Sequence, residues 1–313
     1  MFSVIIPYYN KSKYIQQCLD SVLNQTFQEF EIILVNDGST DNGLHFISNN
    51  NSNKLTVINQ ENQGVSAARN TGISYAKYPF IAFLDADDIW HKQYLQKVKE
   101  VIDSEVDIKI IGTHYSRKIE FLDSDLDDLD YFKFENYFKS AIQNTYFLTS
   151  STIINSDFFK NNKGFNGDLK KGEDVDVWVR AVCSGGNAYY INNTLVYYSN
   201  EDINQVTNSK VLIQNSFVGL INQQIYNNLQ LIDIEYFDKF VSLFVYYNLY
   251  PYYYDIESHS KAKLTLKKNK YRFFLFDLVY ILPFRFGNKL LQSPKSKKWL
   301  RLYMKFIIRY LLT

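Results

Sequence analysis

The chain has 313 residues, a formal net charge of +1 and a 46% hydrophobic content that includes 26 Tyr and 24 Phe; this excludes a disordered chain and allows one large domain with an appendage, or two domains. The charge is unevenly placed, because Ser258 to Thr313 carry fourteen Lys or Arg against one acid, Asp277, giving +13 there and −12 on residues 1 to 257. Two cysteines, Cys18 and Cys183, both within amphipathic segments, exclude a disulfide framework and a thiolate metal site and point to a reducing compartment.

The opening stretch "FSVIIPYYN" reads as a strand, without the basic region and apolar core of a targeting peptide, so a cytoplasmic location is expected. Over the first 115 residues β-branched runs alternate with helical patterns, the signature of βαβ units and a largely parallel sheet. Strands are expected near 2–6, 31–36, 54–59, 79–84 and 107–112, and helices near 12–24, 41–50, 65–77 and 91–103. In the first helix Ile15, Cys18, Leu19, Val22 and Leu23 share one apolar face. The acidic stretch 120–135 has no clean period and reads as an exposed insertion. It is not a calcium loop, because Asp128 stands where the sharp turn needs Gly and Phe134 where a bidentate Glu belongs. Residues 144–199 read as mixed, with a helix at 173–184 and short strands at 187–198, and the chain beyond 205 as helical and Tyr-rich. No run of 18 uncharged apolar residues occurs. The nearest, residues 273–286, is broken by Asp277, Pro283 and Arg285, so a transmembrane helix is not expected.

In parallel sheets ligands bind beyond the carboxyl ends of the strands. The expected ends carry Pro7, Tyr9 and Asn10, then Asn36 to Ser39, then Glu61 to Val65, then Asp85, Asp87 and Asp88. Three acids in four positions repel one another unless a cation sits among them, and such oxygens suit Mg2+ or Mn2+. The D-x-D spacing lets Asp85 and Asp87 point differently, one toward a sugar hydroxyl and the other toward the metal, while Asp88 serves the following turn. In "ENQGVSAARNTGI" Gly64 permits close backbone approach before a helix starting at Ser66, and Arg69, one turn in, suits a diphosphate. Asp37, at a strand end, can accept from a base or ribose. A second acidic cluster, "KKGEDVDVWVRA" at 170–181, places Glu173, Asp174 and Asp176 in the first turn of a helix; they read as dipole complements or as a site for a general base.

The ordered set "VIIPYYNKSKYIQQCLDSVLNQTFQEFEIILVNDGSTDN", "NQGVSAARNTGI", "FIAFLDADDIW" and "GEDVDVWVRA" resembles family 2 glycosyltransferases of the GT-A fold over about residues 1 to 200. The resemblance implies a Rossmann-like GT-A domain with a mixed, mainly parallel sheet. Residues 1–115 would form its nucleotide-binding half and 116–200 its acceptor half, with a helical region at 201–313. It further implies a nucleotide-sugar donor, a divalent metal and transfer with inversion. By the same resemblance Pro7 and Tyr9 contact the uracil, Asp37 binds the base, Asp85 with Ala86 meets the ribose or donor sugar, and Asp87 holds the metal. Asp174 matches the catalytic base, with Glu173, Trp178 and Arg180 on the acceptor side; Trp178 is open to a core reading as well. The chain lacks the Q-x-x-R-W motif and membrane helices of processive relatives, which favours single-sugar addition. It also lacks a His between His114 and His259, where many relatives carry one; Asn200, Asn204 and Thr207 are the candidates to replace it.

In "KSKKWLRLYMKFIIRYLL" Lys297, Arg301, Lys305 and Arg309 recur every four residues among Trp299, Leu302, Tyr303, Phe306 and Tyr310. This reads as a basic amphipathic helix lying on an anionic membrane surface, or as a helix docked on the protein with solvated lysines. No nucleic-acid module accompanies the charge. The combined expectation is an enzyme acting on a lipid-linked, lipopolysaccharide or capsule glycan acceptor at the inner face of the cell membrane. A nucleotidyltransferase would need a Gly-rich triphosphate loop that "IIPYYNKSKY" does not contain, and a non-catalytic nucleotide-sugar scaffold would bind without turnover.

Overall fold

The computed structural model describes residues 1–43, 52–126, 128–199, 211–221 and 234–311. These form two compact units within the bounds Met1–Glu135, Tyr146–Gly167 and Val177–Gln205 for the first, and Asn136–Thr145, Asp168–Asp176 and Val206–Thr313 for the second. The second unit thus takes in two short segments that precede residue 200.

The first unit is built on a nine-stranded sheet: β1 (Phe2–Tyr8), β2 (Phe30–Asp37), β3 (Leu55–Gln60), β4 (Phe80–Phe83), β5 (Ile89–Trp90), β6 (Ile108–Ser116), β7 (Tyr131–Lys133), β8 (Thr152–Asn155) and β9 (Asn187–Tyr197). Their order is β3-β2-β1-β4-β8-β6-β9-β5, with β7 also on β9. β1 to β4, β6 and β9 run one way and β5, β7 and β8 the other, so the sheet is mixed with a parallel majority.

β1, β2 and β4 read as near-continuous apolar runs because both faces are covered. Phe2, Val4, Ile6 and Tyr8 of β1 with Phe30, Ile32 and Leu34 of β2 enter one core. There they are joined by Ile15, Cys18, Leu19 and Val22 of α1 (Ile15–Leu23) and by Leu95, Val98 and Val101 of α3 (Tyr94–Ser104). The alternate residues Ile33 and Val35 face the other side, against Ala68 of α2 (Val65–Tyr75). Gly72 of α2 lies so close to Ile5 that an added Cβ would sit 2.4 Å from its Cγ2, so only glycine lets this helix reach the sheet.

Three strands lie outside the expected set. β8 is four residues long and pairs antiparallel with both β4 and β6. β7 sits in the stretch expected to be an insertion; the described residues of 120–130 are mostly exposed, but Tyr131–Lys133 pair with β9 and Phe134 is buried. β5 is two residues that close the sheet on β9. Of the helix expected over 41–50, residues 44–50 lie outside the described residues, as do Asn200, Asn204 and Thr207.

The second unit is helical over its described residues apart from one bridge, Lys171 to Ser216. It holds α4 (Tyr137–Ala141), the first turn of α6 (Glu173–Cys183), α7 (Phe217–Leu220), α8 (Ile234–Tyr253), α9 (His259–Lys267), α10 (Phe274–Tyr280), α11 (Phe284–Gln292) and α12 (Pro294–Tyr310); α5 (Asp157–Asn161) belongs to the first. Tyr and Phe dominate its packing: Tyr246 meets Phe273, Phe276 and Tyr280, and Phe138 of α4 meets Phe237 and Phe240 of α8. No described helix is long and apolar enough to cross a membrane.

Candidate active site

The carboxyl ends of β1 to β4 are joined by a hydrogen-bond network. At the end of β2, Asp37 is buried and accepts from Gln60 Nε2 (2.8 Å) and from the backbone N–H groups of Gln63 (2.9 Å) and Gly64 (2.8 Å). It thereby fixes the loop that leads into α2, where Gly64 adopts φ +91°. Asn10, beyond β1, also has positive φ and accepts from Thr40 N (2.8 Å), tying the β1 end to the loop after β2. Asp41 accepts from Tyr8 Oη and Ser12 N. Burial raises the Asp41 pKa, but the hydrogen bonds from Tyr8, Ser12 and Gly43 outweigh it and hold the carboxyl below its usual range. Pro7 is buried within β1, whereas Tyr9 projects with 48% of its surface exposed.

The acids of "LDADD" are individually partnered. Asp85 accepts from Arg69 Nη2 at 2.8 Å, and the buried Arg69 guanidinium also lies over Phe165, 5.1 Å from the ring centre. Arg69, expected as a diphosphate contact, is thus engaged with Asp85 in this structure. Asp87 receives Lys11 Nζ at 2.5 Å. Burial and the neighbouring Asp85 push the Asp87 carboxyl up, and Lys11 opposes them. Asp88 is buried and accepts from the Ser150 hydroxyl and from Ser199 N (2.9 Å). Burial and Asp85 push its carboxyl well above the usual range. Ser150 Oγ also accepts from Asp85 N (3.1 Å), and its carbonyl accepts from Trp90 Nε1 (2.7 Å). One serine before β8 therefore holds both Asp85 and Asp88. Asp88, expected only to serve the next turn, ties β4 to β8 and to the residues after β9. Ala86, expected on the donor side, is buried.

Among the described residues no group of three or more His, Cys, Asp or Glu is set to hold a metal. The residues present still fit a divalent ion of one kind. A half-buried hard-oxygen carboxylate that already draws an ammonium to it matches an ion that takes one or two protein carboxylates and completes its shell with phosphate oxygens and water.

Glu173 and Asp174 begin α6, in the second unit, and both are partly buried. Asp174 Oδ1 accepts from Val175 N at 2.8 Å. The preceding segment is fastened to residues 215–217 by Lys170 N to Asn215 O (2.8 Å) and Phe217 N to Lys171 O (2.9 Å). Gly172 has φ +77°, and a Cβ there would meet Phe217 at 2.9 Å, so the turn into the helix requires glycine. Farther along α6, in the first unit, the acceptor expectations need correction. Trp178 is 1% exposed and packs against Phe83 (5.9 Å) and Phe165 (6.0 Å), so it takes the core reading and offers no face to a sugar. Arg180 is buried and donates to the carbonyls of Lys163 (2.5 Å) and Gly164 (2.7 Å), clamping that turn in place of meeting an acceptor.

Sequence reading missed Lys11, Ser150 and Asp41. Lys11 had a signal in retrospect, a cation directly after the first strand end and so beside the acidic edge. Ser150 and Asp41 had none. A cleft of about 580 Å3 lined by Asn70, Lys77, Tyr78, Ser156 and Gly164 lies at the amino end of β4 and holds none of the strand-end acids.

A family model for glycosyl transferase family 2 matches residues 3–163. The chain is 38% identical over 117 residues to glycosyltransferase GlyA of Streptococcus pneumoniae, covering 36% of this chain and 17% of that protein. It is 39% identical over 120 residues to GlyG of the same organism (37% and 40%) and 38% over 130 residues to the putative glycosyltransferase EpsH of Bacillus subtilis (40% and 37%). The matched stretch therefore spans well under half of each relative. Among solved structures, Staphylococcus aureus TarS residues 1–349 in complex with UDP-GlcNAc is similar with a TM-score of 0.68 at 20% identity, covering 98% of this chain and 90% of that one. The mannosyltransferase PcManGT of Pyrobaculum calidifontis, in complex with GDP-Man and Mn2+, is similar with a TM-score of 0.58 at 15% identity, covering 98% and 85%. Both likenesses concern the fold.

Proposed function

Because the chain belongs to glycosyl transferase family 2, we propose that it moves one sugar, with inversion, from a UDP-sugar to a hydroxyl of a lipid-linked or other cell-surface glycan acceptor. The observation that carries this reading is the edge of β1 to β4, where Asp37 holds Gly64, Arg69 holds Asp85 and Lys11 holds Asp87. Such an edge suits a nucleoside diphosphate: base near Tyr9 and Asp37, ribose or sugar near Asp85, diphosphate near Asp87.

Asp87, with Asp85 behind it, would hold the Mg2+ or Mn2+ ion. When bound, that ion neutralises charge developing on the departing diphosphate. Asp174 takes the proton of the acceptor hydroxyl as its oxygen attacks the anomeric carbon from the side opposite the diphosphate, and a positioned base of this kind contributes about 100- to 10,000-fold. Glu173, beside it, serves the acceptor. The first turn of α6 suits an ionised Asp174, since carboxylates are favoured at a helix start. Trp178 and Arg180 act at a remove by holding α6 and the 163–164 turn in place.

The exposed aromatic and basic stripe of α12 supports a peripheral position on an anionic membrane, where a lipid-linked acceptor would be presented.

The reading is tested by thermal stabilisation with UDP or GDP, each with and without Mn2+, followed by turnover with candidate UDP-sugars. UDP with Mn2+ should stabilise and GDP should not. Asp174→Asn should keep donor binding and lose transfer by at least about 100-fold, and Asp87→Ala should lose activity and metal dependence together. Full transfer by Asp174→Asn would remove the base assignment, and donor binding without turnover in the unaltered chain would favour a scaffold.

A further inference from the structure

We propose that Lys11 is a tethered cation that occupies Asp87 before the metal and, once displaced, passes to the diphosphate of the donor. The inference rests on the assignment of Asp87 as a metal ligand. Asp85, Asp87 and Asp88 each have a partner, but the partners differ in kind. Arg69, on Asp85, is buried and stacked on Phe165. Ser150 and Ser199, on Asp88, are buried and take part in holding strands together. Lys11, on Asp87, has a side chain that keeps 21% of its surface exposed.

Its backbone is fixed, since the Lys11 carbonyl accepts from Tyr14 N (2.9 Å) and Ile15 N (3.1 Å) at the start of α1. Its ammonium, a compact charge on a four-carbon stem, is held by Asp87 and lies 5.8 Å from the centre of the Tyr14 ring. An ammonium 2.5 Å from Asp87 Oδ2 competes for the carboxylate that a divalent ion would use. Two cations at one carboxylate repel strongly at such separations, so binding the ion requires the ammonium to move. The incoming diphosphate supplies an anion as its destination.

Lys11 therefore has opposite effects on two equilibria. It weakens binding of the metal alone, because the metal must displace it, and strengthens binding of the metal-diphosphate, because the displaced charge finds a new partner. A side chain that served only to shape the loop would weaken both when removed.

The experiment compares the unaltered chain with Lys11→Met, Lys11→Arg and Asp87→Asn, with thermal unfolding as the control for folding. Mn2+ affinity is measured without nucleotide from the electron paramagnetic resonance signal of free Mn2+, and UDP affinity by calorimetry at saturating Mn2+. Lys11→Met should bind Mn2+ about tenfold tighter and UDP with Mn2+ about tenfold weaker, with Lys11→Arg restoring much of the second. Mn2+ affinity in Lys11→Met that is unchanged, weaker or undetectable overturns the competition. Unchanged UDP affinity overturns the transfer to diphosphate. Retention of Mn2+ binding by Asp87→Asn would instead remove the metal assignment itself.

Discussion

Asp37 illustrates how much of this edge is spent on the protein's own structure. Its resemblance role is to bind the base, yet its two oxygens accept three hydrogen bonds from Gln60, Gln63 and Gly64. A buried carboxylate accepting backbone N–H groups makes strong, charge-assisted bonds. In Asp37→Asn one amide N–H2 would be turned toward an N–H donor, and a buried donor left unpaired costs about 1–3 kcal/mol. Urea unfolding without any ligand should therefore show Asp37→Asn destabilised by about that amount. A variant of unchanged stability that loses only UDP affinity would mean that the residue acts on the nucleotide alone. Trp178 carries a similar lesson: its identity suggested a sugar platform, but its environment is Phe83 and Phe165.

Among the elements, β1, β2 and β4 were legible because strands buried on both faces are written as apolar runs. β1 to β4 and β6 were placed close to their observed bounds, and α1 showed its buried face in Ile15, Cys18, Leu19 and Val22. β8 was not legible: "TIIN" is four residues beside a Ser-rich turn, and its pairing with β4 and β6 depends on residues far away in sequence. β7 was hidden by the neighbouring aspartates, since an edge strand needs only one buried side chain, here Phe134, to anchor its end. The site divides likewise, for Asp85, Asp87 and Gly64 announce themselves locally, whereas the partners Ser150 and Ser199 lie 62 and 111 residues from Asp88.

The turn into α3 carries a buried histidine, His91. Its Nε2 faces the Ser124 carbonyl (3.1 Å) and its Nδ1 accepts from Gln93 N (3.2 Å), which specifies the neutral ring. Protonation would set an Nδ1–H against the Gln93 N–H. Burial, with Lys92 adding to it, holds the imidazole below its ordinary value of 6.5, against the opposing pull of Ser124 and Asp125. A depressed pKa means that the unfolded chain takes up the proton first. The stability concerned is then present above the unfolded value and is lost as pH falls through the folded one. The urea midpoint should drop below about pH 6.5, and His91→Gln should flatten that part of the profile. Equal slopes in the two proteins would rule out His91 as the source.

Over the whole molecule the dominant feature is the segregation of charge, −12 on residues 1 to 257 and +13 beyond. α12 gives the basic end an orientation. Met304, Ile307 and Ile308 are buried, while Trp299, Leu302, Phe306 and Tyr310 lie exposed among Lys295, Lys298, Lys305 and Arg309. The buried face is needed for packing, so deleting the helix would confound membrane binding with folding; surface substitutions avoid this. On an anionic bilayer each Lys or Arg near the surface contributes about 1 kcal/mol, and this contribution is screened by salt over a Debye length of ~10 Å at 0.1 M. Burial of an aromatic side chain contributes about 1.5–3 kcal/mol and is not screened in this way. Two classes of variant should therefore separate in co-sedimentation with vesicles containing phosphatidylglycerol. Replacing Lys295, Lys298 and Lys305 with Gln should weaken binding at low salt and leave a residue of binding that salt hardly changes. Trp299→Ala with Phe306→Ala should leave low-salt binding and abolish what survives at high salt. Equal binding of the unaltered chain to purely zwitterionic vesicles, or no loss in either class, would return α12 to the role of a docked helix with solvated lysines.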